Sequence, residues 1–158
     1  MNALLQLAPL ALCFLAACAS TNDSTSGTTT AAAPEGAWIG DGQQIDQVVR
    51  LSVVDANPSE FYDRTVFVEA NAYAVCKKMQ CWMQIEDEGR WATVRWDSGC
   101  GGNYKFPEDA VGDRVVVQGD LYPKALTEEQ IAELKAAGKP VPAEPYEFNV
   151  TAVMVIED

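Results

Sequence analysis

The stretch that decides the fold runs from Cys81 to Asp97 and reads CWMQIEDEGRWATVRWD. Apolar and polar residues alternate on both sides of Glu88-Gly89, a dipeptide typical of a tight turn, so this stretch predicts a β-hairpin. The alternation also favours one register, because a shift by one residue would set apolar side chains against polar ones. In the favoured register Asp87 pairs with Arg90, the buried pairs are Ile85 with Ala92, Met83 with Val94 and Cys81 with Trp96, and the outer pairs are Gln84 with Thr93 and Trp82 with Arg95.

Four further segments predict strands by their alternation or their β-branched content. They are residues 47–55, residues 65–75 with Val66, Val68, Ala70, Ala72 and Ala74 on one face, residues 113–119, and residues 146–157 with Phe148, Val150, Ala152, Met154 and Ile156 on one face.

One helix is predicted before the last strand. Thr127 and Gln130 have the spacing of a capping box, Leu126 can pack on Ile131, and Gly138 followed by Pro140 ends the helix. The fold class is therefore mainly β: a small OB-like five-stranded barrel or curled sheet, with one helix before the last strand.

The first residues predict export and lipid attachment. Residues 3–17 are almost wholly apolar and too few to span a bilayer comfortably, which is typical of a signal-peptide core. Residues 15–18, Leu-Ala-Ala-Cys, match the lipobox of bacterial lipoprotein precursors, in which the cysteine sulfur carries diacylglycerol. No Lys or Arg precedes Cys18, so either the start codon lies upstream or the α-amine alone supplies the leader's charge.

These features divide the chain into three parts. We expect residues 1–17 to be a signal peptide, residues 18–36 a lipidated, disordered tether rich in Ser, Thr and Ala, and residues 37–158 one OB-like domain. No aspartate follows Cys18 directly, and by resemblance to Gram-negative lipoproteins this favours the outer membrane, facing the periplasm. The membrane is thus an expected partner through the lipid.

Charge and composition exclude several functions. The formal net charge is -12, from 11 basic and 23 acidic residues, and so acidic a surface repels phosphate backbones. We therefore expect no nucleic-acid partner. The chain has no histidine, which removes the common Ser–His and Cys–His nucleophile pairs, and no carboxylate pair or phosphate-binding loop stands out. A non-enzymatic domain is the favoured interpretation.

Three cysteines remain in the mature domain after Cys13 and Cys18 are set aside: Cys76, Cys81 and Cys100. An oxidising compartment favours a structural disulfide, either Cys76–Cys81 or Cys76–Cys100. Buried inert thiols, a metal site and redox chemistry remain as alternatives. Lys77 and Lys78 would lower the pKa of a neighbouring thiol, although they also suit a solvated turn.

The metal alternative is a soft-metal site of the copper type. Cys76, Cys81 and Met83, with Cys100 optional, offer the thiolate and thioether sulfurs that Cu(I) prefers. Zinc is disfavoured because the cysteine spacing is wide and a fourth ligand is missing. Methionines such as Met79 and Met83 more often fill cores, so packing is the competing interpretation.

This segment also resembles the bacterial domain-of-unknown-function 4920 family, over about residues 65–156. The resemblance implies a layout similar to OB-type barrels and no established activity. Gln80 stands where that family usually has glycine, and residues 98–104 replace a more aromatic stretch. The motifs that carry the resemblance are VCKKMQCWM at 75–83, VRW at 94–96, FPED at 106–109 and VGDRVVVQG at 111–119.

The predicted function is a lipid-anchored envelope protein that binds a small ligand or a partner protein. A disulfide-stapled interaction module and a thiol–disulfide redox protein using Cys76 and Cys81 are the alternatives. Trp82 and Trp91 share the outer face of the hairpin and could stack against a ligand. We expect a helix or loop to cover them instead.

Overall fold

The computed structural model describes residues 34–156. The predicted signal peptide, the lipidation site at Cys18 and most of the predicted tether lie outside these residues. Between residues 34 and 156, no helix is both long and apolar enough to cross a membrane.

Seven strands and two α-helices form the described domain. Short 3-10 turns at Pro58–Phe61, Gly99–Gly101 and Glu108–Ala110 connect some of them. In chain order the elements are β1 (Trp38–Gly40), β2 (Val48–Arg50), α1 (Leu51–Ala56), β3 (Thr65–Val75), β4 (Trp82–Asp87), β5 (Arg90–Trp96), β6 (Arg114–Pro123), α2 (Glu128–Ala136) and β7 (Tyr146–Val155).

Five strands close into a barrel, which confirms the predicted fold class. The order is β3-β4-β5-β7-β6 and back to β3, with β5 and β7 parallel and the other neighbours antiparallel. Strands β1 and β2 lie outside the barrel, where they pair with β7 and β3. Because the sheet closes on itself, the barrel strands have no long unpaired edge.

The hairpin of β4 and β5 has the predicted register. Ile85 lies opposite Ala92 and Met83 opposite Val94, while Gln84 and Thr93 pair on the outer face. The Trp96 amide donates to the Cys81 carbonyl, and both side chains are buried, as the alternation predicted.

The segment at residues 47–55 departs from its prediction as one strand. Only Val48–Arg50 is extended, and the chain then forms α1. Leu51 and Val54 stand three residues apart, so they share one face of a helical turn, and both are fully buried. Burial of this pair outweighs the β-preference of the valines.

Two bulges correct the predicted alternation. In β3 the pairing with β4 shifts between Ala72 and Ala74, so Val75 is buried where Ala74 was expected. In β7 the pairing with β6 also shifts, and Val153 joins the barrel core. Met154 therefore points outward, into a second apolar cluster with Phe67 and Val116. One extra residue in a strand reverses the faces that follow it.

Helix α2 begins and ends as predicted. Thr127 accepts a hydrogen bond from the Gln130 amide, and the Gln130 side chain accepts one from the Thr127 amide. Gly138 follows with a positive φ of 67°, a conformation that suits glycine after a helix. Ile131 and Leu134 are half-buried, so α2 lies on the barrel without entering its core.

Asp87 fixes α1 against the barrel. Its side chain is 6% exposed, accepts a 3.0 Å hydrogen bond from the Ser52 amide in the first turn of α1, and pairs with Arg50. Burial raises the pKa of this carboxyl, but the Ser52 and Arg50 interactions outweigh burial and leave the pKa below its ordinary value.

We expect Asp87→Asn to lower the free energy of unfolding by about 1–3 kcal/mol at neutral pH, because charge-assisted hydrogen bonds are lost. With a depressed folded-state pKa, the carboxylate stabilises the fold above the unfolded-state pKa of about 4. That contribution disappears as the pH falls through the folded-state value. Urea unfolding across this range should show the difference shrinking towards zero, with Asp97→Asn, at an exposed carboxylate, as the control. A difference independent of pH would contradict this role for Asp87.

Candidate functional site

The structure joins Cys81 to Cys100 by a disulfide, with 4.8 Å between their Cα atoms, and leaves Cys76 as a thiol. This corrects the expected Cys76–Cys81 and Cys76–Cys100 pairings. Cys81 faces inward beside Trp96, and the 3-10 turn that follows β5 brings Cys100 back towards it. A bond between these two residues therefore closes the end of the hairpin.

The predicted copper-type ligand set is not assembled in this disulfide-bonded form. The Cys81 and Cys100 sulfurs are bonded to each other, and Met83 is fully buried in the barrel core. Met79 is 46% exposed on the neighbouring turn. No cluster of three or more His, Cys, Asp or Glu that could hold a metal occurs among residues 34–156.

Cys76 lies at the start of the turn that joins β3 to β4. Its amide donates to the Trp82 carbonyl at 3.0 Å, and its carbonyl accepts from the Gln80 amide at 2.9 Å. Gln80 has a positive φ of 51°, a backbone conformation that favours glycine.

Backbone amides of this turn lower the pKa of the Cys76 thiol. The Met79 amide has the largest effect, burial opposes it, and the amides of Lys78, Gln80 and Cys81 add to it. The sequence suggested that the charges of Lys77 and Lys78 would lower the pKa of this thiol, but neither charge is among the causes of the lowered pKa.

A groove of about 380 Å³ lies between the outer face of β4 and β5 and the segment that carries α2. Its volume is within the range of small-ligand sites. Basic and acidic side chains line it in equal number, so it is formally neutral on a strongly acidic protein. The charged lining residues are Arg95, Lys124, Lys139, Asp55, Glu133 and Glu147.

Trp91 forms the aromatic wall of this groove. The Lys139 Nζ lies 4.5 Å from the centre of the Trp91 ring and donates a 2.9 Å hydrogen bond to the Gln84 Oε1. Tyr73 meets the same ring edge-on, with the ring centres 4.3 Å apart. The segment after α2 thus covers Trp91, as predicted, and Lys139 holds it there by a cation–π contact.

Tyr146, the first residue of β7, is one of the residues that line the groove. Its hydroxyl is buried and finds no hydrogen-bond partner among the described protein groups. Burial, followed by the charge of Asp55 and by Tyr62, raises the pKa of this phenol. The hydroxyl is therefore a neutral donor, and burying it without a partner costs about 1–3 kcal/mol.

The groove lies where OB-folds commonly bind ligands. Counted along the barrel, β3 to β7 are strands one to five of an OB-fold, and binding typically uses the face of strands two and three with the loop between strands four and five. Here those parts are the β4–β5 hairpin and the connection that carries α2. Sequence reasoning identified Trp91 and α2 separately but missed the groove, because it did not place Lys139 and Tyr146 beside them.

No family model matches the sequence, and no curated protein does. Among solved structures, the chain is similar to a putative aspartyl-tRNA synthetase from Leishmania major Friedlin, with 15% identity and a TM-score of 0.49, covering 78% of this chain and 24% of that one. It is also similar to an aspartyl tRNA synthetase from Entamoeba histolytica, with 13% identity and a TM-score of 0.45, covering 96% and 28%. This chain thus spans well under half of either structure, and likeness at this level says nothing of its activity.

We expect Cys81→Ala/Cys100→Ala to lower the free energy of unfolding by about 3 kcal/mol, because the bond closes a loop with a sequence separation of 19. Urea denaturation without reductant measures this. The control is Cys76→Ser, which should change stability by less than about 0.5 kcal/mol, because this residue is partly exposed and unbonded. Equal stability of the double variant and the unaltered protein would contradict the Cys81–Cys100 pairing.

Proposed function

We propose that this protein is a non-enzymatic binding module of the cell envelope, held on the membrane by lipid at Cys18. Its groove between the β4–β5 hairpin and the α2 segment would hold a small ligand or a short segment of a partner protein. The observation that carries this proposal is the position of the groove on the part of an OB-fold that commonly binds ligands.

The groove's chemistry indicates the kind of ligand. The lining combines apolar side chains such as Leu126, Leu134 and Pro142 with charged groups of both signs, so a ligand with both apolar and polar parts is suited to it. Nucleic acid is not proposed, because the chain's charge of -12 opposes a polyphosphate partner.

Photo-crosslinking in the producing cells tests the groove whatever the chemical identity of its ligand. We expect the full chain with a photoreactive phenylalanine analogue at Glu133, an exposed residue of the groove, to give an adduct of discrete mass on irradiation. The same analogue at Ala132, exposed on α2 but outside the groove lining, should give none.

A second pair of variants shows whether the adduct depends on the groove. Ala137→Trp places an indole in the groove and should abolish the Glu133 adduct, whereas Ala136→Trp, one residue away and outside the lining, should preserve it. No adduct at Glu133, or equal adducts at Glu133 and Ala132, would refute the binding function.

The lipid anchor rests on the lipobox ending at Cys18 and on the tether that follows it. Each buried methylene contributes about 0.8 kcal/mol, so two or three acyl chains would keep the protein on the membrane almost permanently. The outer membrane, facing the periplasm, is the proposed location. A lipid-tethered module could then bind ligands in the periplasm while remaining at the membrane surface.

We expect the full chain to incorporate an alkyne-tagged palmitate and to sediment with outer-membrane vesicles. Cys18→Ala should lose the label and the sedimentation together, because it removes the acylated sulfur. Cys13→Ala, within the predicted signal peptide, is the matched control and should keep both. An unlabelled protein with Cys18 intact would rule out lipidation.

A further inference from the structure

We propose that Cys76 and the Cys81–Cys100 disulfide form a thiol–disulfide exchange centre, which operates independently of the groove. In this centre the free thiol moves from Cys76 to Cys100 while the disulfide moves to Cys76–Cys81. The protein would therefore have two covalent forms related by an internal isomerisation.

The turn between β3 and β4 brings the backbone of Cys76 close to that of Cys81. Its two hydrogen bonds to Trp82 and Gln80 bring the start and the end of the turn together. Cys81 lies between Gln80 and Trp82, the two residues whose backbone groups are hydrogen-bonded to the backbone of Cys76. The Gln80 carbonyl also accepts from the Phe106 amide at 2.9 Å, so a buried residue of the neighbouring connection fixes the far side of this turn.

The exchange needs no outside oxidant or reductant. Cys76 loses its proton to solvent, and its thiolate attacks the Cys81 Sγ. A Cys76–Cys81 bond forms as the Cys81–Cys100 bond breaks, and the departing Cys100 thiolate takes up a proton. One thiol and one disulfide are present before and after the step, so no sulfur is oxidised or reduced overall.

The surroundings favour Cys100 as the leaving group. Cys81 is 4% exposed and its backbone is hydrogen-bonded to Trp96, whereas Cys100 is exposed on a short turn. Gly99 and Gly101 flank Cys100, and a side-chain carbon at either position would meet no neighbour within 4 Å. The released thiolate would therefore be solvated, on a loop that has room to move away.

Cys76 also has the properties of an attacking thiol. It is partly exposed, and the amides of its turn stabilise the thiolate, which is the reactive form. A buried, inert thiol would have neither this exposure nor a stabilised thiolate. The exchange would release the segment after β5, where the Tyr104 hydroxyl now donates to Asp41 at 2.9 Å.

Thiol trapping and disulfide mapping test the proposal. Every sample is the full chain in detergent with Cys13→Ser and Cys18→Ser, so the three remaining cysteines hold all the thiol chemistry. The oxidised protein is incubated at mildly alkaline pH, trapped with N-ethylmaleimide and digested with pepsin at acidic pH. Mass spectrometry should then find the label on Cys100 as well as on Cys76, together with a linked Cys76–Cys81 peptide.

Cys76→Ser is the matched control, and in it the label on Cys100 should be lost. Labelling confined to Cys76 at every incubation time, with only the Cys81–Cys100 peptide linked, would overturn the proposal.

A second variant removes the original disulfide. In Cys100→Ser treated with oxidised glutathione, Cys76 should first take up glutathione and then release it as the Cys76–Cys81 bond forms. Circular dichroism confirms that this variant is folded. If the folded variant keeps its glutathione, the two sulfurs cannot reach each other, and the proposal fails.

Discussion

The parallel pairing of β5 with β7 is the contact on which the rest of the domain depends. It spans only Val94–Trp96 against Phe148–Val150, yet it closes the barrel that the antiparallel neighbours leave open. With β7 held between β5 and β6, the connection from β6 must return along the outside of the hairpin. That route places α2 and Lys139 over Trp91 and creates the groove.

Local signals in the sequence were enough for part of the fold. The hairpin register followed from the alternation around Glu88-Gly89, and the limits of α2 followed from its capping box. Helix α1 escaped prediction because the valines at 48, 49, 53 and 54 suit a strand, and only burial of Leu51 with Val54 decides for a helix. The two bulges were equally hidden, since one inserted residue leaves the local alternation looking regular until the partner strand is known.

The cysteines show where local reasoning ends. The alternation correctly predicted that the Cys81 side chain points inward. The identity of its disulfide partner, however, depended on how two separate connections fold. Gln80 at positive φ shapes the Cys76 turn, and the glycines around Cys100 let that residue approach Cys81. Lys139 likewise meets Trp91, and Tyr146 joins Asp55 in the groove lining, only after the barrel has closed, so the groove could not be predicted from any one segment.

Strand β4 belongs to both proposed sites, yet its packing separates them. Cys81 directly precedes the strand, and Gln84 faces the groove. Met83, which lies between these two residues, and Ile85, which follows Gln84, are both fully buried in the core. Close-packed interiors resist displacement, so a covalent change at Cys81 is confined to the turn and the loop after β5. The reactive and ligand-binding side chains of both sites lie largely on connecting segments, which the barrel holds in place. The two sites therefore do not depend on each other.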